Sequence, residues 1–186
     1  MRNKKSKVGL SFLLVMLAMA LLIIGCSRGP KKSPAPNGNE GGEEKPQEVA
    51  ETVMVTLYFA DDQAEKLIGE ERDVTLDGES LAEAVVKELI KGSETGLGQT
   101  IPDGTRLLDL DIEAGVAYVD FSREFKENHW GGSAGEIMTV YSVVNSLAQL
   151  EGIDQVQFLL EGEEVEDILG HMYYGEPIEP DWDLVE

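Results

Sequence analysis

One cysteine, Cys26, is present in 186 residues. That excludes an intramolecular disulfide and any zinc or iron–sulfur site built from several cysteines. Basic residues are also scarce, with 15 Lys+Arg against 36 Asp+Glu for a formal net charge of −21. The scarcity is uneven: residues 1–32 carry seven basic residues and no acid, so residues 33–186 hold 8 basic and 36 acidic residues, a formal −28. A body of that charge has no Lys/Arg cluster to neutralise phosphates, so nucleic acid is excluded as a partner. A bare polyanionic glycan or an anionic lipid surface is an equally poor direct partner. Aromatic residues make up 6% of the chain and include only Trp130 and Trp182 as tryptophans. That leaves little stacking surface for a glycan hydrolase, which also needs two placed acids in a cleft. H-E-x-x-H, H-x-E…C-x-x-C and EF-hand spacings are missing, and His171 has no second His or Cys near it. No metal site, cofactor site or catalytic set is therefore read from the sequence.

What is present begins with an address. Arg2, Lys4, Lys5 and Lys7 precede an apolar run from Val8 to Ile24, followed by Gly25 and Cys26. This is the layout of a secretory signal, its positive end held in the cytoplasm. Ile23-Ile-Gly-Cys26 resembles the bacterial lipobox, which implies cleavage before Cys26 and acylation of its thiol. The expectation is a lipid anchor on Cys26 and an extracytoplasmic body carrying 11 basic and 36 acidic residues. An uncleaved span over Val8 to Gly25 is the alternative, since it is marginally long enough to cross a bilayer. Either way residues 1–25 stand outside the fold.

Residues 26–51 are rich in Pro, Gly and charge, with almost no large apolar residue. Such a segment cannot bury enough surface to offset its ordering entropy, so a disordered tether is expected. Residues 52–186 are of ordinary size for one domain. Val53, Val55, Leu57 and Phe59 alternate as a strand, and Arg72 to Leu76 reads as a second, short one. Ser80-Leu-Ala-Glu83 has capping-box spacing and opens a helical stripe that ends at Gly92. Thr105 to Ile112, with Leu108, Leu110 and Ile112 inward, and Ala117, Val119 and Phe121 read as a hairpin around Glu113-Ala-Gly115. Ser133-Ala-Gly-Glu136 repeats the capping-box spacing before a stripe running from Ile137 to Ala148, and Gln155 to Leu160 is a last strand. The order β(β)αββαβ predicts an α+β domain, a small mixed β-sheet with two helices packed on one face.

Polar candidates gather around the hairpin end and the second helix: Asp120, Ser122, His129, Trp130, Ser133 and Glu136. Ser133 and Glu136 are read as a helix cap, and Asp120 as capping the loop after its strand. Asp109, Asp111 and Glu113 alternate along one strand face and read as a solvated outer face rather than a calcium site. The aromatic, Pro-rich tail from Met172 to Trp182 lies across its own domain or offers a docking strip. The residues singled out for an interaction surface are Asp120, His129, Trp130, Glu136, Tyr173, Tyr174 and Trp182.

Val119-Asp-Phe-Ser122, Ile101-Pro-Asp-Gly-Thr105 before a Leu-rich strand, Gly131-Gly-Ser133 with Glu136, and Val156-Gln-Phe-Leu-Leu-Glu-Gly162 occur in one order along residues 53–180. Together they resemble the GerMN domain of the sporulation and spore germination family, found on bacterial envelope lipoproteins. The resemblance implies a fold similar to ring-building modules, in which αββαβ units pack side by side. It implies no catalytic residues, and envelope proteins or further copies of the chain as partners. A single GerMN copy is seen here, so a general envelope role is implied more directly than a spore-specific one. A cell-wall glycan binder or glycan-modifying protein is the alternative from a different class.

Overall fold

A computed structural model describes residues 51–168 and 170–186. The signal, Cys26 and all but the last residue of the tether lie outside the described residues. The first two strands, β1 (Glu51–Ala60) and β2 (Leu67–Leu76), form an antiparallel hairpin. Strand β2 is twice as long as its apolar pattern suggests. Two of its inward positions are Glu70 and Arg72, which are buried and paired with each other, and charge at those positions hides the alternation. Helix α1 (Leu81–Lys91) starts at Ser80, where both bonds of the capping box are made, and stops at Gly92.

Strands β3 (Leu107–Glu113) and β4 (Val116–Phe121) turn on Ala114 and Gly115, both at positive φ as a two-residue hairpin turn requires. Strand β4 runs parallel to β5 (Gln155–Leu160), and β5 pairs with the two-residue β6 (Glu163–Glu164). The strands therefore divide into two sheets, β1-β2 and β3-β4-β5-β6, where the sequence pattern anticipates one. Helices α1 and α3 (Gly132–Ala148) touch both sheets. The α+β class holds, and the helices are what join the hairpin to the mixed sheet.

A short helix, α2 (Glu124–Glu127), escapes the periodicity because it is one turn long. Its Phe125 is fully buried and stacks on Phe121, ring centroids 4.4 Å apart, with Phe158 beside both. Stacked aromatic groups of this kind contribute roughly 0.5–1.5 kcal/mol per pair beyond their burial.

Two local expectations are corrected. In β3 a bulge between Leu107 and Asp109 shifts the register, so Leu107 and Leu110 pack against the core while Leu108 is 46% exposed. Ile112 lies opposite the buried Ala117 but is itself 44% exposed. In α3 the N-cap is Gly131, held in the left-handed region at φ 85, with no side-chain cap bond. Ser133 therefore lies within the first turn, and Glu136 is a full turn past the cap. Glu136 cannot reach back and turns into the core instead, fully buried.

Helix α3 is buried on nearly all sides, including Thr139, Ser142, Asn145 and Ser146. Thr139 bonds the Thr100 carbonyl and Asn145 the Asp181 backbone, while Ser142 and Ser146 face the outer edge of β1. Ser146 Oγ accepts from the Tyr58 N–H at 3.0 Å, Ser142 Oγ donates to the Tyr58 carbonyl at 2.6 Å, and Gln149 Nε2 donates to the Thr56 carbonyl. Gly98 pairs with Ala60 further along. A strand edge inside the domain is thus satisfied by side chains instead of another strand.

Candidate functional site

The residues singled out from the sequence separate into two groups. Trp130, Tyr173 and Trp182 are 44%, 64% and 48% exposed, and His129 is half-buried. Glu136 and Tyr174 are fully buried, so they cannot offer contacts to a partner without the domain opening, whereas Asp120, 9% exposed, lines a surface trough of the mixed sheet. Asp120 Oδ1 accepts from the Gly162 N–H at 3.0 Å. It therefore caps the turn after the neighbouring strand β5, not the loop that follows its own strand.

His129, Glu136 and Tyr174 meet around the start of α3. His129 Nε2 lies 3.0 Å from Thr139 Oγ1, and the Thr139 hydroxyl donates to the Thr100 carbonyl at 2.5 Å. The single Thr139 proton is committed, so Nε2 must be the protonated nitrogen and the donor. Burial pushes the His129 imidazole below its usual value, and the Trp130 backbone and Glu136 oppose that more weakly. A neutral ring serving as donor staples three chain segments together. Tyr174 Oη donates to Glu136 Oε1 at 2.6 Å, and the Tyr174 carbonyl accepts from Gln157 Nε2 at 2.7 Å. The tail thereby crosses between α3 and β5, and Ile178 extends the β5 edge by pairing with Val156.

The expectation of no G-x-S-x-G nucleophile elbow is corrected: Gly131-Gly-Ser-Ala-Gly135 has the spacing of that hydrolase motif. The structure does not supply the context that elbow needs. Such a serine sits on a strained turn directly between a strand and a helix. Here β4 ends at Phe121, α2 intervenes, and Ser133 is not at positive φ. The nearby His129 Nε2 is bonded to Thr139 instead of Ser133.

A second polar cluster binds the β1-β2 hairpin to the loop after α1. Glu70 accepts from Ser93 Oγ and Thr95 Oγ1, each at 2.6 Å, from the Glu94 N–H at 3.1 Å, and from Arg72. Burial alone would raise the Glu70 carboxyl, but these donors outweigh it and hold the group at about 2. Arg72 also reaches Glu88 Oε2 at 3.1 Å and the Gly92 carbonyl at 3.0 Å. Sequence reading misses this cluster because its members are far apart along the chain. The capping Gly92 and the polar 93–95 run are the local signals it left.

The face of the mixed sheet turned away from the helices carries a trough of about 310 Å³, lined by Asp109, Asp111, Glu113, Tyr118 and Asp120. Among the described residues no group of three His, Cys, Asp or Glu is placed to hold a metal ion. None of the described helices is long and apolar enough to cross a membrane.

Fold and site together define a small α+β domain in which a β-hairpin and a mixed four-stranded sheet share two long helices. The chain belongs to the Germane family, sporulation and spore germination, whose sequence profile it matches over residues 56–166. Among solved structures it is similar to the tandem GerMN domains of the sporulation protein GerM from Bacillus subtilis, at 28% identity and a TM-score of 0.54. That match covers 70% of this chain and 46% of the tandem chain, so the chain spans just under half of that protein's solved length. The first GerMN domain of the same protein matches at 28% identity and TM-score 0.50, over 71% of this chain and 99% of that one. A Clostridium perfringens protein classed as a lipoprotein shares the fold at 24% identity and TM-score 0.50, over 69% of this chain and 87% of that one. No curated protein matches the chain.

Proposed function

We propose that this GerMN domain is a non-enzymatic assembly or interaction module, held on the outer face of the cytoplasmic membrane by a lipid on Cys26. Its setting is the bacterial cell envelope, and membership of the sporulation and spore germination family supports a part in sporulation or germination within that wider role. The observation that carries the non-enzymatic reading is where the polar candidates point. His129, Glu136 and Asp120 are committed to Thr139, Tyr174 and the Gly162 N–H, while large apolar side chains such as Met54, Trp130, Tyr173 and Trp182 face outward. Groups spent on the scaffold are unavailable for proton transfer, and exposed apolar residues suit protein contacts.

Crosslinking and pull-down from native membranes test the reading, which expects a protein partner or further copies of the chain. Release of muropeptides when the purified protein is incubated with peptidoglycan would overturn it. For the anchor, Cys26→Ala is expected to leave the fold intact and lose membrane fractionation. A variant that still pellets with membranes after its signal is cut would remove the lipid from the account.

A further inference from the structure

We propose that the open edge of β3 is a docking site for an extended segment of a partner protein in which apolar and basic side chains alternate. The proposal rests on reading the domain as an interaction module and assigns the surface and the chemistry of the contact. Strand β3 stands at the end of the four-stranded order, with β4 on one side and no described strand on the other. The two-residue turn makes Glu113 and Val116 the closing hydrogen-bonded pair, so antiparallel alternation turns the backbone groups of Leu110 and Ile112 outward. The Ile112 N–H is taken locally by Asp111 Oδ1 at 2.9 Å, an exposed contact that an incoming carbonyl can replace. An edge of this kind is a template for one more strand.

The two sides of that edge differ in chemistry. On the face turned from the helices, Asp109, Asp111 and Glu113 stand in a row along the trough. On the helix side, the half-exposed Ile112 walls a second groove of about 240 Å³ with Leu81, Ala82, Leu150 and Ile153. A strand laid along β3 sends successive side chains to opposite faces. One set meets carboxylates and the other meets an apolar groove, which selects Lys or Arg alternating with Val, Leu or Ile. Charge also decides against a second copy as the occupant. Pairing through the same edge would set its own Asp109, Asp111 and Glu113 beside this row, and like charges across a strand pair are destabilising. A cationic segment meets the row with opposite sign, on a body of formal −28 from residue 33 onward.

The test is fluorescence anisotropy of the full chain in detergent with a labelled peptide of about ten residues alternating Lys and Val, a length that matches a long strand. Binding is expected, weakening as salt rises. A peptide of the same composition with its lysines and valines in blocks should bind roughly tenfold more weakly, and Asp109→Lys with Glu113→Lys should weaken the alternating peptide by a similar factor. N-methylation of the peptide on the side facing β3 should abolish binding, as should Ile112→Pro, which removes an outward N–H without touching the β4 ladder. If Ile112→Pro fails to fold by circular dichroism, the N-methylated peptide carries the same test on the native chain. Equal binding of methylated and parent peptides, equal binding of alternating and block peptides, unchanged affinity after charge reversal, or no binding overturns the proposal. So does concentration-dependent self-association that Ile112→Pro removes, which would place a second copy on the edge. A protein partner crosslinked on membranes by a chain that ignores the peptide would overturn the docking site alone and leave the interaction reading standing.

Discussion

Tyr174 Oη donates a 2.6 Å hydrogen bond to Glu136 Oε1, with both side chains fully buried. The contact joins the C-terminal tail to the first turns of α3, 38 residues apart. Burial, then the Glu136 acceptor, push the Tyr174 hydroxyl above its usual range, so it stays protonated and a donor. Tyr174→Phe keeps the ring against Phe158 and removes only the donor to the buried carboxyl. The expected loss is about 2 kcal/mol, read as a lower urea midpoint at unchanged m-value. An unaltered midpoint would mean that the tail is held by its ring and its backbone pairs alone.

Glu70 makes stability depend on acid. Its folded value of about 2 lies below the ordinary 4.5, so the folded state favours the charged form. The contribution is fully present above about pH 4.5 and is lost as pH falls toward 2, on the order of 3 kcal/mol at most. In Glu70→Gln the stability difference from the parent chain should be large at pH 7 and shrink steadily below pH 4.5. Urea titrations at a series of pH values measure it, and a difference that stays constant with pH would assign the cost to packing instead of charge.

Ser142 and Ser146 satisfy both backbone groups of Tyr58. Replacing both by Ala leaves an N–H and a carbonyl at a part-buried strand edge, at a cost of about 1–3 kcal/mol for each group left without a partner. Amide exchange at Tyr58 should speed up more than exchange at Leu57, whose groups face β2. Equal acceleration would instead indicate a general loosening of the hairpin.

Gly135 lies inside α3, where Ala ordinarily stabilises a helix by about 1 kcal/mol. A Cβ there would stand 2.4 Å from the Trp130 carbonyl oxygen, a backbone atom that cannot rotate away. Gly135→Ala should therefore destabilise, by roughly 1–3 kcal/mol as overpacking does. Thermal melts of the variant against the parent decide the sign, and a raised midpoint would show that the Trp130 turn can move.

The elements written in local chemistry were legible from residues alone. The Ser80 and Glu83 side chains each accept from the other's backbone N–H three residues away, and Val55, Leu57 and Phe59 alternate because one face of β1 is buried. Cys26 and the charge asymmetry likewise need no fold to be read. Other features were decided between distant segments. Ser133 and Glu136 have the spacing of a cap, yet Gly131 takes the cap position and Glu136 is drawn to Tyr174. A buried carboxyl gains more from a fixed phenolic donor than from a solvated backbone N–H, and spacing along the chain cannot register that partner. Glu70 and Arg72 conceal half of β2 because their charges make sense only with Ser93, Thr95 and Glu88 around them. The bulge at Leu108 is of the same kind: β4 fixes which leucine turns inward, and period-two alternation assumes a register that only the pairing sets. The sequence by itself determined the two long helices, the cores of the longer strands and the charge they carry, but not the one-turn α2, the first half of β2 or the short β6. The tertiary structure decided which polar groups are spent holding the domain together and which edge remains open, because burial and pairing depend on neighbours that are remote in the chain.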